Sequence, residues 1–546
     1  MAGVVAAGHA KTAEAGRIIL QAGGNAFDAA VAACLTACVA ESTLTSLGGG
    51  GFLLAHTATR QNALYDFFTQ TPGRREHISE PNFYPVEVNF GDTVQAFHIG
   101  LASMAVPGMV AGLLKVHGDL GRLPLSVVAE PAIACARSGL LVNEFQGYVY
   151  SLLDPILLAT AGAREIYAPH GSRLQAGELL RMPMFADTLE HLAASGDAQA
   201  RRTFYEGDIA QKIVYDAQAG GGYLRLDDFK DYEVKVRSPL SINYRGVQML
   251  TNPPPSAGGS LIAFCLELLD KFDLRQMEFG SKAHLLLLSQ AMRWTNEARK
   301  DHLDSSLFAA DIAKKFVDKS LVEQYSQPLK EIVKKGINRW GSTTHISVMD
   351  DEGNAASVTT SNGEGSSYMI PSTQIMMNNM LGEEDLNPNG FNQWPLNQRM
   401  SSMMAPTMIL KGGKPQLVLG SGGSNRIRTA VLQVISNILD FDMPLAAAVD
   451  AACIHWEKGV FHIEPGFASA ATESFEDELR GIVPTGTERT GTVRPEKEQT
   501  GTEQIVQWQQ NNMFFGGVHA VGTNADGALV GAGDSRRSGV VEIAKN

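Results

Sequence analysis

The sequence is short of cysteine, of positive charge and of long apolar runs, and each shortage excludes a class of protein. Its 546 residues contain five cysteines, an odd number that argues for reduced core residues and against a disulfide framework. Acidic residues outnumber basic ones by 58 to 45, and this net charge of −13 argues against a nucleic-acid-binding surface. The longest apolar stretch, 26–40, contains Asp28 and is too short to span a bilayer.

The absence of two catalytic motifs and of an N-terminal secretory pattern further narrows the expected class of enzyme and its expected location. The sequence contains no Gly-x-Ser-x-Gly and no His-Glu-x-x-His motif, which argues against the commoner classes of serine hydrolase and zinc peptidase. No basic segment followed by a long apolar segment opens the chain, so we expect a cytoplasmic protein, with a periplasmic or secreted one as the alternative if a leader has been removed. A hydrophobic content of 44% with 19% charged residues predicts a globular fold, and 546 residues are enough for a large core that could divide into two lobes.

The most informative segment is a predicted β-hairpin deep inside the chain. Thr343 and Thr344 open an alternating apolar run, and a turn at 350–354 leads into a second run at 355–360. Cleavage of the bond between Ser342 and Thr343 would make Thr343 a new N-terminus. Its hydroxyl would then lie beside an α-amine that titrates near ~8, so one residue would supply nucleophile and base. An ordinary structural hairpin is the alternative that this pattern leaves open.

Two glycine-rich loops and a serine pair are further candidates for a site. The four glycines at 48–51 predict close backbone approach or unusual dihedral angles beside a pocket. The loop 420–424 has backbone N–H groups that could bind an oxyanion. The pair Ser401–Ser402 and the polar strand end at 359–362 fit the same chemistry, although serine, asparagine and glycine are also ordinary loop residues.

The rest of the chain alternates helical and extended patterns. Apolar spacing, caps and turn residues predict helices near 13–22, 26–41 and 109–115 and over most of 125–216 and 260–335. Strands are predicted near 52–55, 64–68, 234–249, 407–410, 416–419 and 518–541. Residues 473–504 are rich in threonine, glutamate and glycine and poor in apolar side chains, which predicts a surface insertion.

Several of these motifs, in this order along nearly the whole chain, resemble the γ-glutamyltransferase family (γ-glutamyl transpeptidase, glutathione hydrolase) of N-terminal-nucleophile hydrolases. The matching segments are 22–31, 47–52, 106–108, 253–259, 343–348, 401–403 and 533–536. The resemblance implies an α+β fold, a four-layer αββα sandwich made as one precursor. Cleavage before Thr343 would divide it into a large subunit, 1–342, and a small catalytic subunit, 343–546, which stay paired. It also implies a small amide substrate, an amine or water acceptor, no metal or organic cofactor, and no membrane partner.

The resemblance also implies roles for individual residues of this chain. They are nucleophile and base for Thr343, a hydrogen bond to the nucleophile for Ser361, oxyanion-binding backbone N–H groups for Gly423 and Ser424, contact with the substrate carboxylate for Ser401 and Ser402, and contact with the substrate amine for Glu383. Ser361 stands where the family usually has threonine, and a hydroxyl is retained. Ser424 stands where the family usually has glycine, which is tolerable because the donor is backbone.

Three substrate-binding positions depart from the family pattern. Phe68 occupies the place of an arginine that clamps the substrate carboxylate, and an apolar ring cannot replace that bidentate contact. Gly363 replaces an asparagine, unless a one-residue slip supplies Asn362 instead, and Met380 replaces a glutamine or glutamate. Arg74 or Arg75, which follow Phe68 closely, are possible substitutes for the missing arginine.

Three hypotheses follow from the agreements and the departures. The first is an autoprocessing hydrolase or acyltransferase that cleaves γ-glutamyl amides such as glutathione, as the family name predicts. The second is the same chemistry on a different acyl group, which Phe68 and Met380 favour because they make the acyl pocket more apolar. The third is a relative that folds but is never cleaved, and Thr343, Ser361 and the 420–424 loop argue against it.

Overall fold

The computed structural model describes residues 1–75, 77–89, 94–326, 343–387, 390–457, 460–473, 475 and 504–545. The predicted cleavage residue Ser342 and nearly all of the predicted surface insertion 473–504 lie outside the described residues. The division at 342/343 and the insertion therefore stay predictions.

Within those residues the chain forms 22 β-strands, most of them short. In chain order they are β1 (Gly3–Ala7), β2 (Gly50–His56), β3 (Asn62–Phe67), β4 (Tyr84–Asn89), β5 (Val94–Ile99), β6 (Leu140–Leu141), β7 (Leu179–Leu180), β8 (Lys235–Arg237), β9 (Leu240–Tyr244), β10 (Val247–Thr251), β11 (Thr344–Asp350), β12 (Ala355–Ser361), β13 (Met369–Ile370), β14 (Ile375–Met376), β15 (Thr407–Lys411), β16 (Lys414–Gly422), β17 (Ile454–Glu457), β18 (Val460–Ile463), β19 (Gln504–Gln507), β20 (Gly517–Thr523), β21 (Leu529–Gly533) and β22 (Val540–Ala544).

The same residues form 17 α-helices, which are concentrated in the first 326 residues. They are α1 (Ala10–Gln21), α2 (Ala26–Ala40), α3 (Met109–Leu120), α4 (Leu125–Ser138), α5 (Glu144–Leu152), α6 (Asp154–Leu157), α7 (Ala161–Tyr167), α8 (Pro183–Ala194), α9 (Asp197–Tyr205), α10 (Asp208–Gly220), α11 (Leu226–Lys230), α12 (Gly258–Leu269), α13 (Lys282–Ala298), α14 (Ile312–Phe316), α15 (Lys319–Ser326), α16 (Arg426–Leu439) and α17 (Leu445–Asp450). No helix in the described part of the chain is long and apolar enough to cross a membrane.

Local signals in the sequence explain where the first two helices end and begin. Gly23 adopts a φ of +92° directly after α1, which an L side chain rarely tolerates. The predicted cap Asn25 accepts from the backbone N–H of Phe27 and Asp28, and the Asp28 carboxylate accepts from the N–H of Asn25. This capping box starts α2, whose fifteen residues are all buried.

Two antiparallel sheets lie face to face at the centre of the molecule. The first has the strand order β22-β1-β11-β12-β2-β3-β8, and the second has the order β21-β20-β16-β15-β10-β9. Helices α1 and α2 pack on the first sheet, while α12, α16 and α17 pack on the second. The arrangement is the four-layer αββα sandwich that the resemblance implied, and five free, buried cysteines agree with the expected reduced core.

The predicted hairpin forms the middle of the first sheet. Strand β11 starts at Thr344, one residue later than predicted, and pairs with β12 from Thr344–Thr360 to Met349–Ala355. Alternate residues face opposite ways, so Ile346 joins the core under α2 while Ser347 donates to a carbonyl of the second sheet at 3.0 Å. Because both faces are covered, every residue of both strands is buried.

Candidate active site

A cavity opens where β11 begins and β12 ends. Most of the residues predicted for the site meet there, although they come from distant parts of the chain. Its lining consists of Phe68, Thr343, Ser361, Gly363, Met380, Glu383, Asp385, Leu386, Ser401, Ser402, Met403, Met404, Ser424 and Ile427. Of the predicted residues, Asn362 and Gly423 are not part of this lining.

Thr343, the predicted nucleophile, directly precedes β11 and is 5% exposed. The last register pair of the hairpin is Thr344–Thr360, so Thr343 lies across from Ser361 at the open end of the two strands. Its carbonyl oxygen accepts a hydrogen bond from Arg537 Nη1 at 3.2 Å. A threonine and a serine thus line one cavity at the open end of the two strands.

The glycine run 48–51 forms the tight backbone approach that the sequence predicted. A Cβ on Gly49 would lie 2.4 Å from the carbonyl oxygen of Ser361, and one on Gly48 would lie 2.3 Å from that of Met376. None of the four glycines has a positive φ, so contact distance alone requires them. The run holds the end of β12 in place from behind and does not line the cavity.

The segment 420–424, predicted as a loop, is only partly one: residues 420–422 end β16 and pair with β20, and the chain turns after them into helix α16. Gly423 has a φ of +120° and Ser424 a φ of +49°, so two successive residues use the left-handed region. A serine there costs roughly 1 kcal/mol. Its hydroxyl donates to Asp385 Oδ2 at 3.0 Å. The positive end of the α16 dipole lies directly behind this loop, which favours negative charge in the cavity at this point.

The serine pair is held by the loop 253–259, another segment that carried the family resemblance. The carbonyl of Ser402 accepts from the Ala257 N–H at 2.8 Å and from Ser256 Oγ at 2.9 Å. The hydroxyl of Ser402 accepts from the Met404 N–H at 3.0 Å. These contacts fix the direction of the pair, so that Ser401 and Ser402 form one wall of the cavity.

Glu383 and Asp385 form an acidic wall of the cavity, of which the sequence predicted only Glu383. Burial, with the carboxyls of Glu364 and Asp385 nearby, raises the pKa of Glu383 well above its ordinary value. This wall suits a cationic or hydrogen-bond-donating group on a ligand.

The apolar part of the lining is built around Phe68. Its ring is 1% exposed and stacks on Phe52 at a centroid distance of 5.6 Å. Among the described residues, no arginine or lysine lines the cavity. Arg399 is close in space, but it donates to the backbone carbonyl of Phe68 and pairs with Asp66 at 3.3 Å, behind the ring.

The two arginines proposed as substitutes do not reach the cavity lining. Arg75 donates to the carbonyl of Trp394 and stacks over its ring at 4.7 Å, and Arg74 is exposed. Of the two residues predicted as alternatives at the family's asparagine position, Gly363, with a φ of +60°, lines the cavity and Asn362 does not. A Cβ on it would lie 2.5 Å from Glu383 Oε1, so no side chain fits there in this packing.

Two residues that contact the start of β11, Glu41 and Arg537, were not predicted from the sequence. Glu41 accepts a hydrogen bond from the hydroxyl of Thr344, and Arg537 binds the carbonyl of Thr343. The only local signal for Glu41 is an acidic residue at the end of an otherwise apolar helix. Arg537 directly follows the 533–536 segment, but nothing in the sequence connects it with Thr343.

Comparison with known proteins points to one family. A family model described as Gamma-glutamyltranspeptidase matches residues 12–544. The Glutathione hydrolase proenzyme of Escherichia coli (strain K12) is 31% identical over 493 residues, which cover 85% of this chain and 83% of the relative. The Acylase ACY 1 proenzyme of Pseudomonas sp. (strain SE83) is 28% identical over 551 residues, which cover 98% of this chain and 92% of the relative.

A solved structure agrees with the fold. The crystal structure of cephalosporin acylase from Bacillus halodurans superposes with a TM-score of 0.83 at 22% identity, covering 100% of this chain and 96% of that one. At this identity the match speaks for the sandwich architecture and leaves the substrate open.

Proposed function

The chain belongs to the gamma-glutamyltranspeptidase family of enzymes, and on that premise we propose that it is an autoprocessing amide hydrolase or acyltransferase with Thr343 as nucleophile. The observation that carries the proposal is the single cavity lined by Thr343, Ser361 and Ser424. It combines a buried hydroxyl at a strand end, a second hydroxyl across from it, and a glycine-rich loop at a helix N-terminus.

The reaction proceeds through an ester on Thr343. Its Oγ attacks the amide carbonyl while its α-amine takes the hydroxyl proton. Backbone N–H groups of Gly423 and Ser424 stabilise the oxyanion. A donor of this kind typically lowers the activation barrier by about 3–4 kcal/mol. The C–N bond breaks as the proton passes to the leaving amine. Water or a second amine then attacks the ester and gives a proton to the α-amine. The bond between the acyl carbon and Oγ breaks, the proton passes from the α-amine to Oγ, and the acyl product leaves.

Processing before Thr343 is part of the proposal, because only a free α-amine can serve as this base. Two curated relatives are named proenzymes, which supports it. The topology supports stable pairing of the halves after cleavage. Strands β11 and β12 lie between β1 and β2 in the first sheet, so the part after Thr343 fills a gap in the part before it.

The geometry favours an acyl group that has an apolar body and no carboxylate requiring an arginine clamp. Phe68, Met380 and Met403 supply the apolar surface, and no cation lines the described cavity. Burying a carboxylate without a partner costs several kcal/mol, which is on the order of 10²-fold or more in specificity. Two curated relatives carry the name acylase, which supports an acyl group other than γ-glutamyl.

A γ-glutamyl group is the second candidate, because one set of contacts favours it. Ser401, Ser402 and Glu383 all line the cavity. The family resemblance predicts contacts with the substrate carboxylate for the two serines and with the substrate amine for Glu383, and their presence in one lining supports a glutamyl group. The arginine that would complete this set is missing from the described lining.

Intact-mass spectrometry and anilide hydrolysis test both parts. The wild type should give two fragments that divide before Thr343, and Thr343→Ala should stay whole and inactive. Thr36→Ala is a matched control, since Thr36 is a buried threonine that only bonds to its own helix at 2.9 Å. An uncut, inactive wild type contradicts the proposal. Higher kcat/KM for 4-aminobutyryl- or butyryl-p-nitroanilide than for γ-glutamyl-p-nitroanilide selects the first candidate, and the reverse order selects the second.

A further inference from the structure

Arg537 lies between the predicted nucleophile and the loop behind the oxyanion site. It is 3% exposed, and its Nη1 donates to the carbonyl of Thr343 at 3.2 Å while Nη2 donates to the carbonyl of Met513 at 3.3 Å. A Cβ on Gly422 would lie 2.1 Å from the Thr343 oxygen and 3.0 Å from Nη1. A Cβ on Gly423 would lie 3.3 Å from Nη2. The guanidinium therefore touches the nucleophile's backbone and fills the space that these two glycines leave.

The side chain has little freedom to leave this position. A Cβ on Gly517 would lie 2.5 Å from Arg537 Cδ, so the neighbouring strand passes directly against its stem. The backbone N–H of Arg537 donates to the carbonyl of Asp534 at 3.2 Å. Asp534 is itself tied to β20 through the N–H of Val518 at 3.0 Å. The arginine is thus anchored to the second sheet, while the residue it binds belongs to the first.

Glu41 provides a second anchor one residue further along. It follows the last residue of α2, is 5% exposed, and accepts from the Thr344 hydroxyl and from Thr12 Oγ1, the latter at 2.7 Å. Burial raises the pKa of Glu41, and the charge of Arg537 opposes that rise. The start of β11 is therefore held at the carbonyl of Thr343 and at the side chain of Thr344.

We propose that Arg537 is the positioning residue of this site: it holds Thr343 at a fixed distance from the 420–424 loop and keeps the Thr343 α-amine neutral. The inference rests on the proposed function, since the amine exists only after cleavage. A positive charge bonded to the carbonyl of the same residue lies within a few ångströms of that amine. Such a charge disfavours the ammonium form, so the amine remains a base at neutral pH.

The other charged groups around Thr343 leave this effect in place. His519 and His345 pack behind it from the two sheets, and burial lowers the pKa of His519 to about 3 and that of His345 well below its ordinary value, so both are neutral. In the described part of the chain, the other charged groups beside Arg537 or in the cavity lining with Thr343 are Glu41, Asp534, Arg426, Glu383 and Asp385. Burial raises the pKa of Glu41, of Asp534 and of Glu383, and Asp534 is paired with Arg536 at 3.1 Å.

The test compares the wild type with Arg537→Lys, Arg537→Met and the control Arg428→Lys. Arg428 is also 3% exposed and has a pKa lowered to about 10 by burial, as Arg537 has, but it lies on α16 beside Glu457. The pKa of the Thr343 α-amine is measured without substrate, from the pH dependence of its acetylation by acetic anhydride, followed by peptide mass. The pH profiles of kcat and KM are measured with the anilide that the wild type cleaves best.

Arg537→Met should raise the pKa of the amine by about 1 to 2 and move the acidic limb of kcat/KM upward by as much. Arg537→Lys keeps the charge and loses the fork, so the amine pKa should stay within a few tenths while kcat falls about tenfold at little change in KM. Arg428→Lys should move neither the amine pKa nor the acidic limb.

Each outcome has one meaning. If the wild type is never cleaved, the proposed function is contradicted, and this inference, which depends on it, is contradicted too. A cut wild type whose amine pKa is the same in Arg537→Met overturns the inference alone. If Arg537→Met does not fold, Arg537→Lys decides, because an unchanged kcat in that variant contradicts the positioning role and a tenfold loss at constant amine pKa supports it.

Discussion

Replacing Phe68 by arginine should restore recognition of a carboxylate on the acyl group. Phe68 stands in the cavity wall, 1% exposed, together with the serine pair that would hold the other side of such a carboxylate. The comparison substrates are γ-glutamyl- and 4-aminobutyryl-p-nitroanilide, which differ only by the α-carboxylate. In the wild type the ratio of their kcat/KM values should be 1 or lower, because no arginine or lysine lines the described cavity to pair with the α-carboxylate, and burying a carboxylate without a partner is costly.

The expected size of the change follows from the contact that is gained. A hydrogen bond to a charged group is worth about 1.5–3 kcal/mol, so Phe68→Arg should raise the ratio by about 10- to 150-fold. The variant loses the stack on Phe52 at 5.6 Å, which is worth about 0.5–1.5 kcal/mol beyond the buried area, so its thermal midpoint should fall. Because the measured quantity is the ratio of kcat/KM for two substrates of the same variant, a loss of activity that affects both substrates equally cancels.

Phe68→Leu is the control for a general disturbance of the wall, and its ratio should stay within about threefold of the wild type. A folded, cleaved Phe68→Arg enzyme whose ratio is unchanged refutes the reasoning. So does a wild-type ratio of 100 or more, since some other group would then already be binding the carboxylate.

Three further predictions concern charge, close approach and one buried hydrogen bond. Burial and the neighbouring carboxyls raise the pKa of Glu383, so its contribution to stability is complete below the unfolded pKa of about 4.5 and is lost as the pH rises through the folded pKa. Glutamine does not titrate. Thermal unfolding of both proteins from pH 4.5 to 8 should therefore show the stability of Glu383→Gln rising relative to that of the wild type. Gly422→Ala would place a Cβ 2.1 Å from the Thr343 carbonyl oxygen, so intact mass should show cleavage before Thr343 abolished or strongly slowed. Thr344→Val keeps the shape and removes a donor to buried Glu41, so urea unfolding should show a loss of about 1–3 kcal/mol.

Each of these has a control and a result that would contradict it. A stability difference for Glu383→Gln that does not vary with pH would mean that the carboxyl titrates normally. Gly118→Ala, where a Cβ would meet only the Asp197 carboxylate at 3.0 Å, should be processed like the wild type. Thr36→Val loses only a bond to its own helix, and an equal loss in that variant would deny any special role to the Glu41 contact.

The sequence alone was sufficient for the features that depend on local pattern. The hairpin around Thr343, the cap at Asn25 and the crowding at the glycines 48–51 each follow from the chemistry of a few consecutive residues. The sandwich and the family came from many such segments in a fixed order, and both are confirmed. The absence of a carboxylate-binding arginine at Phe68 was also visible, because it is a single position within a known segment.

Only the tertiary structure decided what surrounds those positions. Arg74 and Arg75 follow Phe68 closely in sequence, yet they point to Trp394 or to solvent, because the direction of a side chain depends on its packing partners. The contacts of Thr343 with Arg537 and of Thr344 with Glu41 span 194 and 303 residues. Contacts across such distances leave no periodicity or spacing in the chain. They form only when the two sheets pack against each other. The sequence therefore predicted the hairpin and its candidate nucleophile, whereas only the tertiary structure decided which side chains surround Thr343.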